Sequence, residues 1–198
     1  MVHVVKVRSD AVRNRARILD VARDLIGRAG PGVSMDDIAG EAGVAVGTLY
    51  RHFPTKAALV EAIVHDSIGQ LADAADAASE RIAEGASAGE ELADLFRLVA
   101  DRHSTDAAVK EAATALGAKP PGADGVIGDF APDSPELRAW LSIARLLDAA
   151  VAEGSIRPDL TAADLLALVS GVPRDPVPAE VRDRYVEIVL AGVRPAGG

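Results

Sequence analysis

Apolar residues recur along this chain three and four positions apart, the spacing that gathers side chains on one face of an α-helix. Ile18, Ala22, Leu25, Ile26 and Ala29 mark a first such face, with Arg13, Arg15, Arg17, Arg23 and Arg28 spread over the others. Ser9 can cap that helix and Gly30-Pro31-Gly32 ends it, while residues 1–8 read as a disordered basic tail. A long helix opens at Thr55 and runs to about Gly85 with Leu59, Ile63, Ile68 and Leu71 in phase. Ser87 and Glu90 form a capping box for the next, through Leu92, Leu95, Phe96 and Val99 to about His103, and a shorter helix follows over 106–116. Ser134 and Pro135 open a helix through Trp140, Ile143, Leu146 and Leu147 that Gly154 closes. Thr161 with Asp164 opens another through Gly171, and Val181, Tyr185, Ile188, Val189 and Leu190 define the last. Between them lie a Gly/Pro-rich loop over 117–133 and a Pro-rich break over 172–178. No strand pair, hairpin turn, repeat or nucleotide loop interrupts the pattern, so the expected fold class is all-α.

One stretch departs from plain amphipathic spacing. From Ser34 to Lys56 the chain reads SMDDIAGEAGVAVGTLYRHFPTK. Ser34 is a good N-cap, and Asp37 can reach back to its backbone N–H in a variant of the capping box. Ala39 permits close crossing of a second helix, and Gly43 can take a positive φ at the turn without a Cβ penalty. The second helix runs from about Ala45 to His52, with Leu49 and Phe53 facing inward, and Pro54 ends it. With the first helix of the chain this makes a three-helix head containing a helix-turn-helix over residues 34–53.

Charge sharpens that reading. The net charge is −9, which by itself opposes a nucleic-acid partner. Through Lys56, however, nine basic residues face six acidic ones, a net +3, so the remainder holds −12. Such asymmetry points to a nucleic-acid face on one part of a molecule, with chance clustering as the plain alternative. From Ala42 to Val60 there is no Asp or Glu at all. The chain has no Cys, which excludes disulfides and thiolate metal sites, and no apolar run approaches the ~20 residues of a membrane span. A soluble, cytoplasmic protein that does not engage a membrane is the expectation.

The residues Ile38-Ala39, Ala42-Gly43-Val44, Gly47-Thr48-Leu49-Tyr50-Arg51-His52-Phe53 and Lys56 resemble the DNA-binding signature of the tetracycline-repressor (TetR) family of bacterial transcription regulators. The resemblance implies DNA contacts from Ser34 or Met35, from the helix holding Ala45, Val46, Gly47, Thr48, Tyr50, Arg51 and His52, and from Lys56. The residues support this to different degrees. Val46 and Gly47 lie in the first turn, where a recognition helix reaches base edges, though Gly47 is also a cheap first-turn glycine. Thr48 and Tyr50 offer hydroxyls to phosphate or base, the alternative for Tyr50 being a hydroxyl buried in the head. Arg51 suits a phosphate contact, and His52 suits either a phosphate or a local cap. Lys56 places a cation at a helix N-terminus, disfavoured by ~0.3–1 kcal/mol. A phosphate docked on Thr55, Lys56 and the free N–H groups would remove that objection; a screened surface lysine is the alternative.

The resemblance further implies a head over 1–56 and an effector-binding, dimerising body over 57–198. The chain would then be a homodimeric, ligand-responsive regulator, most simply a repressor, on a pseudo-palindromic double-stranded DNA operator, with no cofactor. Candidates to line an effector cavity are Phe96, Arg102, His103, Phe130 and Trp140. The last two helices resemble the family's dimer contact, with Leu165, Leu168, Val181, Tyr185, Ile188 and Val189 as its candidates. An activator, an effector-independent DNA binder and a small all-α enzyme using the body cavity are the alternatives. For the enzyme the residues offer little. Glu61 and His65 stand at i,i+4, a metal-compatible spacing with no second pair, and His103 has no recognisable catalytic partner.

Overall fold

A computed structural model describes residues 2–117, 130–173 and 177–195, with side chains from Arg13 onward except those of 104 and 105. Among the described residues there are eight α-helices and no strand: α1 (Val2–Ala29), α2 (Met35–Glu41), α3 (Val46–His52), α4 (Lys56–Ala83), α5 (Ala88–Ala115), α6 (Pro135–Glu153), α7 (Ala162–Ser170) and α8 (Ala179–Gly192). The all-α fold with a helix-turn-helix head is thus the one the apolar spacing predicts. Two expectations give way. Residues 2–8 belong to α1 instead of forming a tail, because no Pro or Gly stands between them and Ser9 and extending an existing helix needs no new nucleus. Likewise α5 continues through 103–106 as one helix instead of two, since no breaker lies there. Most of the 117–133 loop and the middle of the 172–178 break lie outside the described residues.

The chain forms two compact units. The first comprises the described residues of Met1–Asp66 and Thr105–Ala123. Its core gathers Ile18, Leu19, Ala22 and Ile26 of α1, Ile38 and Ala39 of α2, Leu49 of α3 and Leu59, Val60 and Ile63 of α4, all fully buried. Each large aliphatic side chain so buried contributes ~1.5–3 kcal/mol. Ala29, in phase with the apolar stripe, is exposed at the helix end, whereas Arg23 is buried. Burial of that guanidinium is met by a 2.9 Å bond to Asp66 of α4, which pins α1 to α4.

The second unit comprises the described residues of Ser67–Ser104 and Asp124–Gly198. One apolar cluster joins Ala75 and Ala78 of α4, Leu92 and Leu95 of α5, Leu146, Leu147 and Ala150 of α6, and Leu165 of α7. A second joins Phe96 and Ala100 of α5 to Val186 and Leu190 of α8. Polar ties set the register. Asp76 of α4 accepts from the fully buried Ser142 hydroxyl at 2.5 Å and from Arg138 at 2.7 Å, both on α6. Those donors, Ser142 first, hold its carboxyl below the usual aspartate range.

Candidate nucleic-acid interface and body cavity

The helix-turn-helix is built by local rules at both ends of α2. Ser34 Oγ accepts the Asp37 N–H at 3.0 Å while the Asp37 carboxylate accepts the Ser34 N–H at 3.2 Å and its hydroxyl at 2.6 Å, which also lowers the Asp37 pKa. The capping box is therefore complete with Asp in place of Glu. At the other end Gly43 has φ +63°, its N–H donates to Gly40 O at 3.1 Å, and the Val44 N–H donates to Ala39 O at 3.0 Å. That pair of bonds is a Schellman motif, which stops α2 and turns the chain into α3. Leu49 and Phe53 then anchor α3 in the core, and the Arg15 guanidinium lies 5.4 Å over the Phe53 ring.

Anchoring Leu49 and Phe53 leaves the opposite side of α3 outward. Ala45, Val46, Gly47, Tyr50 and Arg51 are exposed, Val46 by 39% and Tyr50 by 45%, and Thr48 and His52 are half-buried. Exposure of Tyr50 removes the alternative of a hydroxyl buried in the head. No carboxylate falls within this exposed run. Three flanking candidates are placed differently from the expectation. Met35 is buried with Ile38 and Ala39, because i, i+3 and i+4 share the inward face of α2, so its side chain is not presented for a contact. The Ser34 hydroxyl is engaged by Asp37. Lys56 donates its ammonium to the carbonyls of Pro31 and Val33 in the α1–α2 connection. The cation at the start of α4 is thus offset within the fold by two carbonyl oxygens, a partner that sequence spacing could not reveal. Thr55 stays exposed and caps α4, its Oγ1 accepting the Ala58 N–H at 3.1 Å.

In the second unit, α4, α5, α6 and α7 line an apolar cavity of about 100 Å³ that is open on one side, walled by Leu71, Phe96, Val99, Trp140, Ile143 and Val169 among others. Of the five sequence candidates it unites Phe96 and Trp140. Phe130 sits against Trp140, ring centroids 6.2 Å apart and tilted by 54°. Arg102 and His103 do not line it; Arg102 instead donates to Gln70 Oε1 at 2.8 Å. The aliphatic walls were missed because nothing in a sequence separates a leucine facing a cavity from one facing a filled core. A wider cleft of about 910 Å³ lies among the start of α5, the end of α6 and the end of α8, edged by Glu90, Asp94, Arg97 and Arg194. Its Arg97 is already paired with Asp94 at 3.0 Å and Glu187 at 3.2 Å.

On α7 and α8 the six sequence candidates separate into two groups. Leu165 is buried within the chain, Leu168 and Val189 pack on both apolar clusters, and the Tyr185 hydroxyl donates to Leu168 O at 2.9 Å. Leu165 therefore has no surface left for a partner. Val181 and Ile188 do project, 48% and 65% exposed, with Leu166 at 44% beside Leu165 in sequence. Glu61 and His65 are both at the surface, and among the described residues no group of three His, Asp or Glu side chains is placed to hold a metal. Among the described residues, too, no helix is long and apolar enough to cross a membrane.

An all-α chain with a capped helix-turn-helix and an outward, acid-free second helix belongs to the class of DNA-binding regulators. Comparison with known proteins makes the class specific. Residues 18–63 match the model described as bacterial regulatory proteins, tetR family, and residues 88–195 match the SbtR-like transcriptional regulator C-terminal domain. A TetR transcription regulatory protein of Mycobacterium vanbaalenii is 34% identical, with TM-score 0.73 over 96% of this chain and 99% of that one. A γ-butyrolactone receptor described as ArpA-like is 28% identical, with TM-score 0.54 over 92% of this chain and 97% of that one. An HTH-type transcriptional regulator of Staphylococcus aureus is 45% identical over 69 residues, 33% of this chain and only 36% of that protein's length. The chain belongs to the TetR family of transcription regulators.

Proposed function

We propose that the protein is a ligand-responsive repressor that acts as a homodimer in the bacterial cytoplasm on a pseudo-palindromic operator. The observation that supports its DNA face is the exposed, carboxylate-free run of α3, with Val46, Gly47, Thr48 and Tyr50 toward base edges and Arg51, His52 and Thr55 toward phosphates. Two heads related by a two-fold axis would enter successive major-groove turns ~34–36 Å apart. The functional division is a head over 1–56 and a body over 57–198, with α4 opening the body at the end of the head. An effector bound in the body would favour a conformation whose heads no longer match that spacing, by as much as it binds that conformation better. Small-molecule response gains support from the relative named as a γ-butyrolactone receptor.

Selection of genomic fragments by the purified protein tests this reading. Recovery of one palindromic sequence, bound by two protomers, is the expected result; no enrichment at low salt would overturn it. Tyr50→Ala and Thr48→Ala are expected to weaken binding to that sequence far more than to unrelated DNA, by about the ~1–3 kcal/mol of a lost base contact. Equal losses on both DNAs would remove the base-reading role.

A further inference from the structure

We infer that the cavity among α4, α5, α6 and α7 is the effector site and that it takes a small, uncharged, apolar molecule, of the size of a single aromatic ring or a short alkyl chain. The inference rests on the proposed ligand response and adds the chemistry of the ligand. Among the described residues every side chain on the wall is Leu, Val, Ile, Ala, Phe or Trp, so the indole N–H of Trp140 is the one polar side-chain group they bring to it. Arg102, three residues beyond the wall residue Val99, is turned to Gln70 and lies outside it. An ionised carboxylate or ammonium entering there would lose its hydration and find no counter-charge, whereas an apolar molecule loses nothing by leaving water. Size narrows the class further. A pocket of about 100 Å³ that is open on one side, set against the ~150 Å³ closed apolar cavity that admits benzene, limits the ligand to about one ring, part of which projects toward solvent. Leu166, 44% exposed yet part of the wall, marks the side from which solvent reaches it. The wider cleft near Arg97 offers the contrasting chemistry, but its arginine is already committed to Asp94 and Glu187.

Trp140 is the only tryptophan of the chain, so its emission reports on this wall alone. The full-length protein is titrated with toluene and, separately, with benzoate, the same ring bearing a charge. A saturable change in Trp140 emission with toluene is expected, with benzoate at least about a hundred-fold weaker. Ala162→Leu adds bulk at the wall and should abolish the saturable response while leaving the far-ultraviolet circular dichroism unchanged; Ile143→Phe serves the same purpose should Ala162→Leu misfold. Benzoate binding as tightly as toluene, no saturable response up to the solubility of toluene, or a response that survives in both folded variants would overturn the assignment. Genomic-fragment selection is run on the same preparation. Failure to recover DNA counts against the regulator reading, while the ligand class stands or falls on the titration.

Discussion

Gly89 shows how far a single residue can depart from its local preference. It lies in the first turn of α5, where alanine would ordinarily be favoured by ~1 kcal/mol. A Cβ at this position, however, would lie 2.4 Å from Ser155 Cβ, a backbone-attached atom that cannot swing away. Gly89→Ala should therefore destabilise the protein by ~1–3 kcal/mol in urea unfolding, opposite in sign to helix propensity. The double variant with Ser155→Gly should recover most of that loss, and a stabilised single variant would show that the two segments are not in close contact. Lys56 is the second residue whose role is revised by its surroundings. With its ammonium on the carbonyls of Pro31 and Val33, Lys56→Met should cost the ~1.5–3 kcal/mol of a charged hydrogen-bonded group, read as a lower unfolding midpoint. The salt slope of log K for DNA should stay unchanged; a slope reduced by about one would return Lys56 to a phosphate contact.

Among the elements, α5 is the one whose start depends on a distant part of the chain. Ser87 accepts the Glu90 N–H at 3.4 Å, as its spacing suggests, but the carboxylate at this helix start is Glu153, at the end of α6. It accepts the N–H of Gly89 at 3.0 Å, the N–H of Ala88 at 3.2 Å and the Ser87 hydroxyl at 3.1 Å. The Ser155 hydroxyl, then the Gly89 N–H, hold the Glu153 carboxyl below the usual glutamate range. A pKa depressed on folding stabilises the native state above the ordinary glutamate pKa of ~4.3 and loses that contribution as pH falls through the folded value. Glu153→Gln should accordingly lower the melting temperature at neutral pH, with the gap to the parent protein closing as pH falls below the ordinary glutamate range. A gap independent of pH would mean that the carboxylate charge is not what caps α5. By contrast α2, α6 and α7 start on caps supplied by their own sequence, Ser34, Ser134 and Thr161, and these were legible without the fold.

For the molecule as a whole, the homodimer proposal turns on the apolar residues that α7 and α8 leave uncovered. Ile188, 65% exposed, and Val181, 48% exposed, bury little of their side chains within the protomer. Ile188→Asp should shift the protein to a monomer in light scattering and weaken operator binding, without changing the cooperativity of unfolding of the monomer. A dimer that persists would place the contact elsewhere. The candidates read from sequence contain these two exposed residues but also the buried Leu165, while the exposed leucine beside it, Leu166, lines the body cavity. In the run Asp164-Leu165-Leu166-Ala167-Leu168 an error of one position, 100° around the helix, exchanges buried and exposed leucines, and consecutive leucines supply no polar residue to fix the phase.

The helix-turn-helix with which the sequence stands out is determined almost wholly by local chemistry. The Ser34–Asp37 box, the positive φ at Gly43 and the inward pair Leu49 and Phe53 act over a few residues, so they can be read from spacing alone, while the family is legible through the resemblance of those residues to a known signature. The tertiary structure decided what depends on partners far apart in the chain: Lys56 on Pro31 and Val33, Glu153 on α5, Met35 and Arg23 inside the head, and which leucines surround a cavity. Those outcomes depend on packing and on satisfying buried charge, which one-dimensional spacing cannot express, because a side chain's neighbours across the fold are set only when its helices have met.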